Sequence, residues 1–428
     1  MRAFSVRFDE KNLTGNAGLT HFGKFIKKLG ILKLVEEHVH IQRGANAEYR
    51  ISEIVVITML GVFSGAKHIS HLKTLKNDFV LRKIFKWVAF PVTSTFGRIF
   101  KLFKWSNCVE LSKVEDIARR KVWKKKWFGR ITLDFDSSVK GVFGNQEGAR
   151  VGYNPKKKGQ KSYHPLFCFI AETYECLHNW FRSGDAYTSN GVVEFTKECI
   201  EKIPKRVWKI RVRGDSGFFG GDFLSYLESI SAEYCIKVKL KGLNVLLSGK
   251  KWRKIRSFPG FESTEFLYQC NGWKDSRRFV AVRFLKNVKT DGLLFPQYEY
   301  EYFCYVTNMG LTPMGTHKFY KKRATSENWI EWCKNQMAAG NILTDDFWAN
   351  SAIFQTCILA YNVMVWMMRL TDSKGYHEEP DTIRFWLIHV PGRLLTGNGQ
   401  LVLKLSKNYV YKERWKRIDQ GIEILDFA

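Results

Sequence analysis

Four chemically different polar side chains share one side of a predicted helix between residues 317 and 336. In the stretch HKFYKKRATSENWIEWCKNQ, at about 100° per residue, these side chains fall within ~60° of one another: Tyr320, Arg323, Glu327 and Lys334. Trp329 and other large apolar residues occupy much of the opposite side. An ordinary solvated helix face carries interchangeable charges. A Tyr, an Arg, a Glu and a Lys in one row therefore indicate a functional face, and the solvated face is the alternative.

Acidic residues within apolar strand patterns are a second candidate for chemistry. Asp134 and Asp136 lie two residues apart in RITLDFDSSV, so both point to the same face of a strand. Asp215 ends the strand pattern KIRVRGD, before a Ser-Gly turn that would expose its carboxylate. Carboxylates gathered in one cleft need a cation, and two divalent ions about 4 Å apart can hold both oxygens of a phosphoryl transfer. With a third acid from a later helix, these residues predict such a site. For Asp215 alone, a turn or cap role is the alternative.

The elements that must position these acids follow from hydrophobic periodicity. From Arg130 to about residue 240 the pattern predicts three strands, a helix, a strand, a helix and a strand, which is a mixed sheet carrying helices. The segment TSTFGRIFKLFKW predicts an amphipathic packing helix, with a DNA-reading helix–turn–helix as the alternative. We predict an α/β protein with these parts: a helical DNA-binding domain at 1–128, the first part of a catalytic core at 129–240, a β-rich insertion at 241–315, and the second part of the core, with the Glu helix, at 316–428.

The charge of the chain points to a polyanionic partner. It has 69 Lys and Arg against 41 Asp and Glu, a net charge of +28. The positive residues come in blocks, which favours nucleic acid over an ordinary basic protein. The residues predicted to contact DNA in the first two blocks are Arg119, Arg120, Lys124, Lys125, Lys156 and Lys157. Interleaved tryptophans such as Trp123 could stack on bases, and core packing is the alternative.

The expected compartment is the cytoplasm. Nine cysteines without a C-x-x-C pair predict reduced thiols and no zinc site. The opening residues show no apolar signal-peptide region. The most apolar stretch, Ser351 to Leu370, is interrupted by Gln355 and Asn362, so it predicts a buried helix and no membrane partner.

The four-residue row resembles the Tyr-Arg-Glu-Lys signature of insertion-sequence transposases of the IS-four superfamily. Its spacing, Y-x2-R-x3-E-x6-K, is met without deviation. LDFDSS resembles the first catalytic stretch of that family and RVRGDSGFF resembles the second. The run VGYNPKKKGQKSYHP is similar to one in the IS-thirteen-eighty branch, and LTGNAGL, FGNQEGA and LIHVPGRLL also fit. The resemblance covers nearly the whole chain, in the right motif order.

The resemblance implies a ribonuclease-H-like core with an Asp-Asp-Glu triad, interrupted by the β-rich insertion. Carried over position by position, Asp136, Asp215 and Glu327 would hold two Mg²⁺ ions, for which Mn²⁺ can substitute. Tyr320, Arg323 and Lys334 would then grip DNA near the cleaved end. Asp134 stays open as the first acid and Glu331 as the third. His164 is expected to be structural. Trp252 and Trp273 could hold a flipped base, with packing or surface exposure as the alternative.

The predicted function is that of a bacterial DNA transposase, expected in the cytoplasm in association with the nucleoid. It would bind terminal inverted repeats, pair two ends as a homodimer, hydrolyse the DNA and join the freed 3′-hydroxyls to target DNA, in cut-and-paste transposition. One alternative is a ribonuclease-H-fold nuclease without strand transfer. Another is a non-catalytic DNA-binding regulator derived from a transposase.

Overall fold

The structure is a computed structural model, and it divides into two compact units. Unit 1 comprises Met1–Trp127, Gly144–Gly148 and Glu331–Ala428, and unit 2 comprises Phe128–Phe143 and Ala149–Ile330. The residues that the structure describes are 2–125, 128–154, 157–289, 297–341, 344–372, 378–397 and 399–427.

The first part of the chain is helical, because apolar residues recur there at helical spacing. Helix α1 buries Phe22, Phe25 and Leu29 and ends at Gly30, whose φ of 79° closes the helix in the left-handed conformation. A 3₁₀ turn, Ile69–Leu72, lies between α3 and α4. The elements are β1 (Leu13–Thr14), α1 (Leu19–Leu29), α2 (Ile31–His38), α3 (Ile51–Phe63), α4 (Lys73–Asn77), α5 (Phe79–Ile84), α6 (Thr93–Phe100) and α7 (Trp105–Lys125).

Strands and helices alternate in the next part of the chain. The elements are β2 (Arg130–Ser137), β3 (Lys140–Gly141), β4 (Arg150–Val151), β5 (Lys161–Tyr163), β6 (Leu166–Ile170), β7 (Cys176–Trp180), α8 (Val192–Glu201), β8 (Lys209–Gly214), α9 (Gly221–Ser229) and β9 (Glu233–Lys237). The predicted order of three strands, helix, strand, helix and strand is confirmed by β2, β6, β7, α8, β8, α9 and β9. The short strands β3, β4 and β5 form a small sheet of their own in the order β3-β5-β4.

The remainder of the chain begins with β-rich elements and ends with helices and a hairpin. The elements are α10 (Leu243–Ser248), β10 (Arg253–Lys254), β11 (Phe261–Tyr268), β12 (Arg277–Lys289), β13 (Gln297–Thr307), α11 (Pro313–Lys321), α12 (Ala324–Glu331), a π-helical turn (Trp332–Gln336), α13 (Phe347–Thr371), α14 (Pro380–Ile383), a second π-helical turn (Arg384–Ile388), β14 (Gly392–Gly397), β15 (Gln400–Leu405) and α15 (Lys412–Ile424).

Helix α13 forms the core of unit 1, where it packs against α3, α7 and α15. By length and composition it could cross a membrane, but 89% of its most apolar stretch is buried inside the protein. This burial agrees with the buried helix predicted for residues 351–370. Helix α6 buries Phe96, Ile99 and Phe100 and packs against α3 and α13. Its apolar face is therefore used for packing, the first of the two interpretations.

The segment GRLLTGNGQLVLKL, whose Gly-Asn-Gly turn at 397–399 predicts a hairpin, forms one in unit 1. Strands β14 and β15 pair antiparallel from Gly392 with Leu405 to Gly397 with Gln400, and β1 joins the other side of β14. Asn398 of the predicted turn lies outside the described residues.

The large sheet of unit 2 is mixed, with strand order β10-β11-β12-β13-β9-β8-β2-β6-β7 over the described residues. Strand β2 pairs parallel with β8 and antiparallel with β6, and β8 pairs parallel with β9. The strands of the β-rich segment belong to this same sheet, because β13 pairs with β9. The fold is therefore α/β with a large mixed sheet, as predicted at that level.

Helices cover both faces of the sheet at β2. The ring of Phe135 contacts Phe195 of α8 and Phe223 of α9 on one face. On the opposite face, Phe169 of β6 lies against Trp329 of α12. Since side chains alternate along a strand, Asp134 and Asp136 point to the face that α11 and α12 cover.

Candidate active site

Two of the predicted acids lie at adjacent strand ends. Strands β2 and β8 run parallel, and the last register pair is Phe135 with Gly214. Asp136 directly follows Phe135, and Asp215 directly follows Gly214. The parallel pairing therefore brings the two acids to one edge of the sheet. Both line a cavity of about 410 Å³ in unit 2. Asp215 is also the N-cap of a 3₁₀ turn, where its Oδ1 accepts the N–H of Gly217. The cap role and the cavity role coexist in this residue.

Glu327 reaches the same cavity from a different part of the chain. It lies in the first turn of α12, its side chain is 67% exposed, and it lines the cavity with Asp136 and Asp215. Tyr320 and Arg323 line this cavity too. Lys334 belongs to unit 1, in the π-helical turn. The structure thus brings together three members of the four-residue row and all three predicted acids.

The prediction of one continuous helix under this row is wrong. Helix α11 ends at Lys321 and α12 begins at Ala324. At the break the N–H of Arg323 donates to the carbonyl of Tyr320, and the N–H of Ser326 donates to the carbonyl of Arg323. These three-residue bonds tighten the turn relative to an α-helix. Arg323 is therefore a turn residue, and its side chain enters the wall of the cavity.

Arg323 forms ion pairs with two of the predicted acids. Its Nη2 lies 2.8 Å from Oδ2 of Asp136, and its Nη1 lies 3.7 Å from Oε1 of Glu327. Only 6% of the residue is exposed. Burial, the largest single cause, would lower the pKa of Arg323. The charges of Asp136 and of the other acidic groups around it together outweigh burial, so the pKa is raised above its ordinary value.

Asp136 is the acid most affected by its neighbours. Its pKa is raised to about 6, with burial as the largest cause. The charge of Arg323 opposes this rise, and the charges of Asp215 and Glu327 contribute to it. Oδ1 of Asp136 accepts the N–H of Ser137 at 2.8 Å. The mutual repulsion means that these carboxylates lie close enough to interact electrostatically.

Asp134 has a different environment from Asp136. It is fully buried, and both of its oxygens accept hydrogen bonds from Arg213, at 2.6 and 2.7 Å. Arg213 also donates to the carbonyl of Phe319 in α11. The pair thereby ties β2 and β8 to the helix that carries Tyr320. Of the two aspartates, Asp136 lines the cavity.

Other residues that line the cavity are basic and aromatic. They are Lys237, Phe303, Tyr305 and Lys321, and the rings of Tyr305 and Tyr320 are 4.6 Å apart. Burial raises the pKa of Tyr320 well above its ordinary value, so its hydroxyl stays protonated. Lys237 and Lys321 were missed as site residues. The position of Lys237 could have been predicted from the strand pattern. Lys237 ends β9, which is parallel to the strand that precedes Asp215, so both residues lie at the same edge of the sheet.

Hydrogen bonds and one packing contact connect His164 to the two strand ends. Nδ1 of His164 contacts the carbonyl of Ala186, so Nε2 is left to accept from the Ser137 hydroxyl at 3.2 Å. The Ser137 Oγ lies 2.8 Å from Oγ1 of Thr188. Thr188 in turn covers Gly217: a Cβ at Gly217 would lie 2.9 Å from Cγ2 of Thr188. These contacts therefore run from the residue after Asp136 to the turn that holds Asp215.

The acids fit a hard divalent cation by their chemistry. Among the described residues, no three His, Cys, Asp or Glu side chains already converge on one point. The three acids at the cavity nevertheless offer carboxylate oxygens only, the donors that Mg²⁺ prefers. A cation would also relieve the repulsion that acts on Asp136.

The predicted DNA-contacting blocks differ in their exposure. Arg119 is 1% exposed and forms ion pairs with Glu115 and Asp116. The prediction that Arg119 contacts DNA is therefore wrong, because its side chain is buried. Acids three and four residues earlier in the sequence were a signal for that pairing. The other residues of its block, Arg120, Lys124 and Lys125, are exposed. Lys157 is exposed as well, whereas Lys156 lies outside the described residues.

The two tryptophans considered for base contacts are both partly buried. The ring of Trp252 is covered by Arg283, whose guanidinium carbon is 4.5 Å from the ring centre, and its Nε1 donates to the carbonyl of Leu247. Trp273 contacts Phe219 and Arg277. Both rings therefore have packing partners, in agreement with the packing alternative.

Comparison with known proteins gives a family for the whole chain. The family model described as transposase DDE domain group 1 matches residues 1–426. Among solved structures, the chain is similar to a piggyBac transposase in a synaptic complex with hairpin DNA, determined by cryo-EM. That similarity has a TM-score of 0.47 and 12% sequence identity, and it covers 86% of this chain and 78% of the other. None of the curated proteins matches the chain.

Proposed function

The chain belongs to the transposase family described as DDE domain group 1, and from this membership we propose that it excises a DNA element at its terminal inverted repeats and joins the freed ends to target DNA. The observation that carries the proposal is the shared cavity of Asp136, Asp215 and Glu327. These acids come from three separate segments of the chain, and a protein that only binds DNA has no use for three acids on one cavity.

We propose Asp136, Asp215 and Glu327 as the ligands of two Mg²⁺ ions, with Mn²⁺ as a substitute. Bound divalent ions would supply stabilisation of the attacking and leaving oxygens of phosphodiester hydrolysis and transesterification. For the first acid, Asp136 is favoured over Asp134 because Asp136 lines the cavity, whereas Asp134 is fully buried in its pair with Arg213. For the third, Glu327 is favoured over Glu331 because Glu327 lines the cavity.

The chain's own groups would position the DNA. Lys237 and Lys321, exposed on the cavity wall, would neutralise phosphates that flank the cleaved bond, and Tyr320 would donate its hydroxyl. Arg323 would bind a phosphate once it leaves Asp136. For Lys334 we retain the role implied by the Tyr-Arg-Glu-Lys resemblance, which is to contact DNA near the cleaved end. Because no covalent intermediate is needed, positioning and electrostatics would carry the catalysis.

Other parts of the proposal concern assembly and recognition. The exposed residues Arg120, Lys124, Lys125 and Lys157 would bind DNA ends, and two copies would pair the ends as a homodimer. A ribonuclease-H-like core is supported by the order of three strands joined antiparallel, followed by two parallel strands reached through helices. The IS-four superfamily assignment rests on the four-residue row and its spacing.

The test is an excision assay with the purified full chain and Mg²⁺, on a plasmid that carries the gene's own flanking DNA. Wild type should excise the element, and Asp136→Asn, Asp215→Asn and Glu327→Gln should each abolish excision while still binding the flanking DNA. Glu331→Gln on the same helix is the matched control and should excise like wild type. Excision that survives Asp136→Asn but not Asp134→Asn, in folded variants, would move the first ligand to Asp134. Excision without joining to a target would identify a nuclease.

A further inference from the structure

Arg323 holds an unusual position for a residue expected to grip DNA. It is almost fully buried, and its guanidinium binds Asp136 and approaches Glu327 instead of facing solvent. Its Nε is buried without a hydrogen-bond partner among the described residues. A buried guanidinium with an unused donor is not optimally bound where it lies, so a better acceptor could draw it away.

The bond to Arg323 occupies the acid that a metal ion would need. Oδ1 of Asp136 accepts from the N–H of Ser137, and Oδ2 accepts from Arg323. Both oxygens of this largely buried carboxylate are thus engaged. A divalent cation bound by Asp136 and Glu327 would lie beside the nearly buried guanidinium of Arg323, and the two positive charges would repel each other.

A DNA phosphate offers the alternative acceptor. Phosphate binds guanidinium through two parallel charge-assisted hydrogen bonds, and Lys237 and Lys321 on the same cavity make the entry of a phosphate favourable. The turn between α11 and α12 carries Arg323 outside any regular helix, so its side chain can be redirected without unwinding one.

We propose that Arg323 couples metal binding to DNA binding, an inference that rests on the proposed function. Without DNA, Arg323 binds Asp136 and Glu327 and opposes the divalent ion. A backbone phosphate that enters the cavity takes the guanidinium and leaves the acids to the metal. By thermodynamic linkage the metal must then raise DNA affinity by the same factor as DNA raises metal affinity.

The test measures Mn²⁺ binding by the loss of its free-ion electron paramagnetic resonance signal, with no activity readout. For wild type, a saturating duplex of the flanking DNA should tighten Mn²⁺ binding about 10-fold or more, and Mn²⁺ should tighten duplex binding by the same factor. Arg323→Gln should bind Mn²⁺ about 10-fold more tightly than wild type without DNA, and the duplex should add little. Lys322→Gln, the exposed neighbour in the same turn, is the matched control and should keep the wild-type coupling.

Each outcome has a defined meaning. If the duplex leaves the Mn²⁺ affinity of wild type unchanged, the coupling does not exist, and this measurement needs no variant that could misfold. If folded Arg323→Gln binds Mn²⁺ no more tightly than wild type, Arg323 does not oppose the metal and the proposal is overturned. In either case the proposed function is tested independently by the excision assay, which does not depend on the coupling. If Mn²⁺ fails to bind under all conditions, or binds equally to Glu327→Gln, the triad is not the metal site and both proposals fall.

Discussion

Arg213 binds both carboxylate oxygens of Asp134 in the interior of unit 2, with Nε 2.6 Å from Oδ1 and Nη2 2.7 Å from Oδ2. The two residues are register partners on parallel strands, and the third donor group of Arg213 reaches the carbonyl of Phe319. A buried pair with this geometry fixes two strands, β2 and β8, to helix α11, which carries Tyr320 of the cavity. It also occupies the aspartate that competes with Asp136 in the sequence motif.

Replacing Arg213 by Met should cost about 3–5 kcal/mol in the free energy of unfolding, because Asp134 is left buried and unpaired. Denaturant unfolding measures this loss. The matched control is Arg211→Met on the same strand, whose partner Glu233 is only partly buried, so the loss should be about 1 kcal/mol. Equal losses in the two variants would mean that the Asp134 pair adds nothing beyond a surface ion pair.

Thr188 should act as a positioning residue for the two aspartates, because its hydroxyl bonds Ser137 and its methyl group covers Gly217. Thr188→Val keeps the shape but loses the hydroxyl, and excision should slow by about 10–100-fold. Thr188→Ser keeps the hydroxyl and should restore most of the rate. Thermal unfolding should separate the two effects: the Val variant is expected to unfold close to wild type, and a large fall in its melting temperature would make the role merely structural.

The stability of unit 2 should depend on pH through His317. Burial, followed by the charge of Lys321, lowers the pKa of His317 from 6.5 to about 4. Between these values the unfolded chain binds the proton and the folded protein does not. The free energy of unfolding therefore falls as the pH drops through this window, by up to ~1.4 kcal/mol per pH unit. Above pH 6.5 His317 contributes no slope, because it is neutral in both states.

His317→Phe should remove this slope, and the ring would pack among Phe261 and Phe303. Urea unfolding of both proteins at about pH 4.5 and about pH 7 measures the difference. Asp134 and Asp136 also titrate in this range, with pKa values raised to about 6. The two aspartates change the free energy of unfolding with pH in the opposite direction to His317. Their contribution is the same in wild type and in His317→Phe, so it cancels when the two proteins are compared. A slope that is the same in wild type and variant would contradict the prediction.

The exposed charges at the end of α7 should contribute to DNA affinity. Replacing Arg120, Lys124 and Lys125 by Gln should weaken binding of the flanking duplex and reduce the slope of log K against log salt by about 3. Titrations at several salt concentrations measure both quantities. A control that removes the same charge elsewhere, at the exposed Lys73, Lys404 and Lys407, should leave the slope closer to wild type. An equal change in both variants would mean that only the net charge matters.

The sequence predicted the parts of this fold that depend on local patterns. The strands that carry Asp136 and precede Asp215 follow from apolar runs, and the parallel pairing that joins them is typical of strands linked through helices. The break between α11 and α12 was not predictable from a helical wheel, because a wheel assumes an unbroken helix. The ion pair of Arg323 with Asp136 joins residues that are far apart in the sequence, and no local pattern carries it.

The basic blocks likewise have a part that the sequence predicts and a part that depends on the three-dimensional structure. A run of positive residues predicts a basic surface, but it does not say which members of the run point outward. Arg119 points inward, where it pairs with Glu115 and Asp116, which lie four and three residues before it on α7. The attachment of the β-rich segment also depends on long-range pairing, since β13 must find β9.

That pairing of β13 with β9 determines when the sheet can be completed during synthesis. The ribosome makes β9 well before β13, so a nascent chain with β2, β8 and β9 already folded has an open strand edge. The residues that close this edge come just before α11 and α12, which deliver Arg323 and Glu327. A partly synthesised chain is therefore prone to aggregate, and it also lacks Glu327, the third acid of the cavity. Both conditions end only when the segment from β13 to α12 has emerged from the ribosome.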